Sequence, residues 1–487
     1  MSGEVERCEL APGLTISRVL TGLWQIADME RDGRELDLDA AAAAMGPYVD
    51  AGFTTFDMAD HYGSAEDIAG LFRRQHAAGR AVQMATKWVP KPGPVTREEV
   101  RAGVQRSLDR MQTDRLDLLQ FHAWNYAHPS WLDCLAWLQE LKEQGLISHL
   151  GLTNFDTAHL RIALHSGIEI VSNQVSFSLL DQRAGKDMAD LCLKHGVKLL
   201  AYGTVAGGLL TERWLGKPEP DWGDLETWSQ AKYRRFIDAA GGWDLFQDLL
   251  QVVGGVARAN GVSMANVASR TILDQPAVAG VIIGARLGKS EHIRDNLRLF
   301  EFSLDEGSRL AIEQARSRLR PIPGDCGDEY RKPPYLTASG DLSHHFESMP
   351  RPYAVQVGPD GRIRAWSGTP WEEMAGYCRA VRCGERILVS GTTATHRARA
   401  IGGTDAAAQL HFVIDKIEGA LQSLGSRLED VVRTRVYVQN LSDWEAVARA
   451  HGTRFRGIFP ANTLVQAHLI GDENLVEMEA EAVVPGP

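Results

Sequence analysis

What this chain lacks narrows its possibilities. Cysteine is sparse: Cys8, Cys134, Cys192, Cys326, Cys378 and Cys383 lie far apart with no C-x-x-C pair. That spacing excludes a disulfide framework or a zinc ribbon and reads as reduced thiols in a cytoplasmic protein. No apolar run is long enough to span a bilayer, and Met1–Glu6 is acidic rather than a basic-then-apolar leader. Basic clusters are missing and the net charge is −11, which argues against nucleic acid or an anionic membrane as partner. The glycine pairs at 207–208 and 241–242 open no helix in G-x-G-x-x-G spacing, so a Rossmann dinucleotide fold is excluded. His344-His345 has no carboxylate or cysteine at ligand spacing, and no metal site is expected. The 487 residues exceed one ordinary domain, with a hydrophobic fraction of 44% and a charged fraction of 24% typical of a globular chain.

What is present begins with Phe53-Thr-Thr-Phe-Asp-Met-Ala-Asp-His-Tyr-Gly63. Phe53, Phe56 and two β-branched threonines form a short buried strand that ends at Asp57, and Tyr62 follows in a loop. Three later apolar runs each end in a chemically useful residue: Val82–Lys87, Leu116–His122 and His149–Asn154. Helical stretches separate them. Thr96–Met111 opens with a Thr96/Glu99 capping box and carries Val100, Val104, Leu108 and Met111 on one face. Polar groups at the C-terminal ends of successive parallel strands point to an α/β fold, a (β/α)₈ TIM barrel, with its site at that face. Further strands are expected at Ile170–Gln174, Val197–Tyr202, Val278–Gly284 and Leu299–Phe302. Leu14–Gly22 reads as an edge hairpin plugging the barrel bottom, Leu38–Ala51 as one helix, and Trp214–Asp244 as a long loop on the active-site face.

Asp57, Tyr62, Lys87 and His122 together make a proposal that none makes alone. A phenol titrates near ~10 and transfers a proton at neutral pH only if its surroundings help. A neighbouring ammonium favours the phenolate, a carboxylate holds the ammonium, and a histidine polarises a carbonyl oxygen. Phe56-Asp-Met-Ala-Asp-His-Tyr-Gly63 resembles the aldo-keto reductase signature, with Met58 for the usual threonine, and all four members of the catalytic tetrad are present. The resemblance covers about residues 14–317. It implies hydride transfer between a nicotinamide cofactor, NADP(H) with NAD(H) as the alternative, and a small-molecule carbonyl or alcohol. It also implies cofactor contacts at Asn154 and Gln174 for the carboxamide, Tyr202 for the nicotinamide face, and Gly284, Arg286 and Asn296 for the adenosine phosphate. Gly284 to Asn296 is longer than the family pattern, so Arg286, Lys289 and Ser290 compete for the 2′-phosphate. Trp24, in Gly-x-Trp, lies either beside the cofactor or in packing.

Residues 1–320 are therefore assigned to the barrel and 321–352 to a linker or an active-site lid. Residues 353–487 form a second, smaller α+β domain. There, strands at Arg386–Gly391, Val431–Val438, Thr463–Ile470 and Val476–Val484 alternate with helices at Ala406–Leu424 and Asp443–Phe455, after a hairpin at Gly358–Gly361. Val389-Ser-Gly-Thr, Leu424-Gly-Ser-Arg-Leu-Glu-Asp-Val-Val, Phe459-Pro-Ala and Val476-Glu-Met-Glu-Ala resemble the Rid family of enamine/imine deaminases, whose fold is chorismate-mutase-like. That resemblance covers about residues 374–485. It implies a pocket at Tyr377, Gly391 and Glu477, and a homo-oligomer, a trimer through this domain. The family's Pro-Ala-Arg reads Pro460-Ala461-Asn462 here, and asparagine cannot replace a charged bidentate fork. Arg379 is the candidate substitute. The expectation is a domain that serves for assembly, or binds a neutral or differently charged ligand, rather than hydrolysing imino acids. Two rival readings of the whole chain remain open here: a redox-sensing cofactor-binding module, and a bifunctional imine hydrolase and carbonyl reductase.

Overall fold

A computed structural model of the chain describes residues 4–30, 33–76, 82–337, 349–397 and 399–485. Ser339 to His345, including the histidine pair, lie outside the described residues.

The chain opens with an antiparallel hairpin, β1 (Arg7–Ala11) and β2 (Leu14–Ser17). Eight parallel strands follow: β3 (Val19–Gly22), β4 (Thr55–Asp57), β5 (Gln83–Trp88), β6 (Leu116–Phe121), β7 (Ile147–Thr153), β8 (Ile170–Ser176), β9 (Lys198–Tyr202) and β10 (Val278–Gly284). They close into a barrel in which β10 pairs with β3. Leu10, Leu14 and Ile16 of the hairpin pack with Leu20, Ala85, Leu118, Leu200 and Ala279 and stop the bottom of the barrel.

Several expectations need correction. Val19–Gly22 is a barrel strand, not the return arm of a hairpin, and all four of its residues are buried between β10 and β4. Arg18 separates it from β2, whose last residue, Ser17, has its hydroxyl donating to the Val19 carbonyl and accepting from the Thr55 N–H. No strand forms at Leu299–Phe302. The N–H groups of Leu299, Phe300 and Glu301 bond carbonyls three residues back, which winds that stretch into turns. The helix expected over Leu38–Ala51 is two helices, Leu38–Ala43 and Gly46–Asp50, because Pro47 in the second one's first turn has no N–H to continue the first. The long loop at Trp214–Asp244 contains the helix Trp228–Ala239, capped by the Thr227 hydroxyl on the Gln230 N–H.

The C-terminal domain is a seven-stranded sheet built from β11 (Ala354–Val357), β12 (Ile363–Trp366), β13 (Ala380–Cys383), β14 (Arg386–Thr393), β17 (Val431–Val438), β18 (Ala461–Gln466) and β19 (Val476–Val483). The order is β11-β12-β13-β14-β19-β17-β18, and a two-residue pair, β15 (Thr395–His396) with β16 (Arg399–Ala400), stands apart. The helices Ala406–Ser423 and Trp444–Arg454 lie on one face of the sheet. The first is buried on nearly every side rather than along one stripe, because the barrel helix Thr157–His165 packs on its other face.

That packing joins the domains through charge. Asp405 caps the helix at the Ala408 N–H and takes a two-pronged ion pair from Arg161 of the barrel. His159 sits between two carboxylates, Asp156 of the barrel at 2.6 Å and Asp415 of the second domain at 2.9 Å. Arg454 pairs with Asp415 at 2.7 Å and with Glu418 at 3.2 Å. Burial opposes charge on His159, but its two carboxylates outweigh that and raise its pKa; burial likewise opposes, and the facing cations achieve, a lowered pKa for Asp415.

Candidate active site

The strand ends deliver their side chains to one place. Asp57 closes β4, Lys87 is the penultimate residue of β5, His122 follows β6, Asn154 follows β7, Gln174 is in β8, Tyr202 closes β9 and Gly284 closes β10. All of them, with Tyr62, Trp24, Arg286, Ser290 and Asn296, line a single cavity of about 930 Å³. Lys289 does not line it and is exposed.

Within the cavity the four tetrad residues form a connected set. The Lys87 ammonium bonds Asp57 Oδ2 at 2.6 Å and the Met58 carbonyl at 3.0 Å, and lies 4.9 Å from the centre of the Tyr62 ring. Burial lowers the Lys87 pKa against the opposing pull of Asp57. The second carboxylate oxygen, Asp57 Oδ1, accepts from Gln174 Nε2 at 2.7 Å and Gln120 Nε2 at 3.2 Å. Gln120 was not anticipated. It lies two residues before His122 on the same strand face, and that period of two was the available signal. Trp24 meets Tyr62 edge to face at 4.8 Å, so it belongs to the site. His122 Nδ1 is 3.2 Å from the Thr153 carbonyl. A carbonyl only accepts, so Nδ1 carries a proton.

Asn154 and Gln174 are also fixed. The Tyr202 hydroxyl donates to Asn154 Oδ1 at 2.7 Å, and burial, followed by Tyr330 and Glu329, pushes that phenol well above its ordinary pKa and keeps it a donor. Asn154 thus retains its Nδ2 hydrogens for donation. Gln174, whose amide nitrogen serves Asp57 and also Gln120 Oε1 at 3.0 Å, retains its Oε1 for acceptance. The pair offers one donor and one acceptor side by side, because the Asn154 N–H bonds the Gln174 carbonyl at 2.8 Å.

Residues after the barrel return to its mouth. The short helix Asp328–Arg331 places Tyr330 in the cavity lining, its ring 5.7 Å from that of His122, with the Lys232 ammonium donating to its hydroxyl at 2.7 Å. Glu329 is buried against Arg183 at 2.8 Å. Sequence reasoning assigned 321–352 to a linker or an active-site lid but gave Tyr330, Glu329 and Lys232 no role, because nothing local says which groups a returning strap will meet.

In the second domain, Tyr377, Arg379, Gly391 and Glu477 come together. Arg379 donates to the Gly391 carbonyl at 2.9 Å, the Thr392 hydroxyl at 2.8 Å and the Tyr377 hydroxyl at 3.3 Å. Both terminal nitrogens of its fork thereby serve protein groups, while Nε has no hydrogen-bond partner among the described residues. Glu477 fills the space that a side chain at position 391 would take, and burial raises its pKa. Asn462 does not join them. It pairs in register with Thr434, whereas Glu477 pairs with Tyr437, so the two point to opposite faces of the sheet. The Thr434 hydroxyl donates to Asn462 Oδ1 at 3.1 Å on the helix-covered face.

An eight-stranded parallel barrel with aspartate, lysine, histidine and tyrosine gathered at its C-terminal rim defines the class: a (β/α)₈ enzyme. The model of the Aldo/keto reductase family matches residues 18–316, and the chain belongs to that family. Membership makes it an oxidoreductase of a family that generally uses NAD(P)H. A second model, described as Endoribonuclease L-PSP and corresponding to the Rid family, matches residues 370–484. Flagellar radial spoke protein 5 of Chlamydomonas reinhardtii is 29% identical over 257 residues, 44% of this chain, and the match spans 49% of that protein. An uncharacterised protein of Streptomyces coelicolor is 38% identical over 120 residues, 24% of this chain and 90% of its own length. Among solved structures, a glycerol dehydrogenase of Gluconobacter oxydans covers 67% of this chain and 98% of its own at 23% identity and a TM-score of 0.54, a likeness of fold. Among the described residues, no helix is long and apolar enough to cross a membrane, and no group of three His, Cys, Asp or Glu could hold a metal.

Proposed function

We propose that the barrel reduces an aldehyde or ketone, or oxidises the corresponding alcohol, with NADP(H). The observation that carries this is the buried Lys87–Asp57 pair set under the Tyr62 ring in a cavity that also holds His122. The residues fit a nicotinamide dinucleotide. Asn154 and Gln174 present a donor and an acceptor, the complement of a carboxamide. Arg286 Nε is buried without a hydrogen-bond partner among the described residues, which suits a phosphate. Asn154, Gln174 and Tyr202 would hold the nicotinamide end, and Gly284, Arg286, Ser290 and Asn296 the adenosine end. The dinucleotide supplies or takes the hydride.

The protein's own work is proton transfer and placement. Tyr62 donates its hydroxyl proton to the carbonyl oxygen, and the Lys87 ammonium stabilises the phenolate left behind. Asp57 holds that ammonium, and Gln120 and Gln174 hold Asp57. His122 carries a proton on Nδ1, so a neutral ring accepts at Nε2 from an alcohol and an imidazolium donates there to a carbonyl. The direct test is cofactor oxidation at 340 nm with NADPH and a panel of aldehydes, sugars, pyridoxal and α-keto acids. Tight NADPH binding without turnover of any member would displace this reading in favour of a cofactor sensor.

NADPH preference rests on Arg286. Arg286→Ala is expected to weaken NADPH binding roughly tenfold or more, since a charge-assisted hydrogen bond contributes about 1.5–3 kcal/mol. NADH binding should stay within about twofold by the same reasoning, as it has no 2′-phosphate. Equal losses in a fluorescence titration would make Arg286 structural.

The second domain is proposed to assemble the protein in the cytoplasm as a trimer, not to hydrolyse imino acids. The use of both terminal nitrogens of Arg379 by protein groups and the placement of Asn462 on the sheet face opposite Glu477 support this. The sheet face away from the barrel exposes Leu388 at 42%. Leu388→Glu, beside Glu481 on β19, should convert a species of three 53.6 kDa chains into single chains in analytical ultracentrifugation. A wild-type chain that sediments as a monomer would end the assembly proposal.

A further inference from the structure

We infer that Arg331, from the strap after the barrel, is a positioning residue that sets the nicotinamide-binding loop at Asn154 against the loop that follows His122. This rests on the reductase reading above.

One guanidinium spans two strand-end loops. Arg331 Nε and Nη2 both donate to the Ala123 carbonyl, at 2.8 and 2.6 Å, in the loop that follows His122. Arg331 Nη1 donates to the Asn154 carbonyl at 2.7 Å and to the Gly327 carbonyl at 3.1 Å. A planar fork makes these bonds in fixed relative directions, so the two loops cannot slide independently. Asn154 needs such a clamp. Its φ is 58°, in the left-handed region that non-glycine residues seldom adopt, and such a conformation persists only where its surroundings over-determine it. The Tyr202 hydroxyl holds its side chain and Arg331 holds its carbonyl.

The strap is built to deliver this residue. Gly327 has φ 78°, and a Cβ there would collide with the Asn154 carbonyl. Only glycine lets the strap approach closely enough for Arg331 to reach across. From below, the guanidinium lies 4.4 Å from the centre of the Tyr126 ring, and Tyr126 stacks at 3.4 Å on His159, the residue held by Asp156 and Asp415. The docked second domain thus backs the ring on which Arg331 rests.

The test separates positioning from general stability by comparing two ligands in the full-length protein. NADP⁺ reports the whole cofactor site, and 2′-phospho-ADP-ribose is the same molecule without its nicotinamide. Arg331→Met should weaken NADP⁺ binding by roughly tenfold, the loss of charge-assisted hydrogen bonds, while fragment binding changes less than about twofold. Arg331→Lys keeps the charge over Tyr126 but cannot span both carbonyls, so it should show the same selective loss. Equal weakening of both ligands in either variant, including through misfolding, would overturn the inference, as would unchanged NADP⁺ binding. Failure of wild type to bind either ligand would instead remove the reductase reading on which it stands.

Discussion

Tyr62→Phe is expected to lower carbonyl reduction by about 10²–10⁴-fold, the usual contribution of a positioned general acid, with NADPH affinity nearly unchanged. The substitution removes one oxygen from a ring whose packing against Trp24 and His61 it preserves. The Asn154–Gln174 pair is held by Tyr202, Asp57 and Gln120. A split between lost turnover and kept binding therefore distinguishes a proton donor from a packing residue. A Tyr62→Phe protein that reduces a good substrate at more than a tenth of the wild-type rate would exclude Tyr62 as the acid. Lys87→Met should be as damaging to turnover, but it also leaves the buried Asp57 carboxylate with only amide partners, so some loss of thermal stability should accompany it.

The largest stability effect is expected at the junction between the domains. Asp415 is fully enclosed and faces His159 on the barrel and Arg454 on its own domain. Asp415→Ala leaves Arg454 with the more distant Glu418 and the His411 carbonyl, and strips His159 of one of its two carboxylates. Removing one partner from a buried ionic network typically costs about 3–5 kcal/mol, because the remaining charge stays desolvated. A lower melting temperature and early proteolysis between the domains would report it. A melting temperature unchanged to within a degree would mean that the junction is wetter than the structure shows.

The same network predicts a pH window. His159 has a raised folded pKa, so its contribution is complete below the unfolded value of 6.5 and fades as pH climbs through the raised one. Asp415 has a lowered folded pKa, so its contribution is present above the ordinary 3.8 and is lost as pH falls toward the folded value. Docking should therefore be strongest in mildly acidic to neutral solution. In Asp415→Asn the alkaline loss should begin closer to neutrality, since His159 then keeps only Asp156. Melting curves across pH for the two proteins would check the direction of that displacement.

The sequence by itself determined the local elements and the chemistry at the strand ends. Alternating runs of apolar residues ending in Asp57, Lys87, His122 and Asn154 are read without a partner strand, because a strand's end and its last side chain are properties of that stretch. The C-terminal elements were likewise legible, and the helix at residues 406–423 and the strand Val431–Val438 stand where periodicity placed them. Tertiary structure decided what depends on two distant segments meeting. Whether Val19–Gly22 or Leu299–Phe302 closes the barrel turns on which one β10 can pair with, and both are short and apolar. That helix shows an apolar stripe in sequence, but Asp415 on its other side is explained only by His159 of the barrel surface it meets. Arg331 and Gly327 read as linker or lid with no assigned role because their partners, the carbonyls of Ala123 and Asn154, are backbone groups. Backbone carbonyls are the same at every position, so no sequence pattern marks which one an arginine will find.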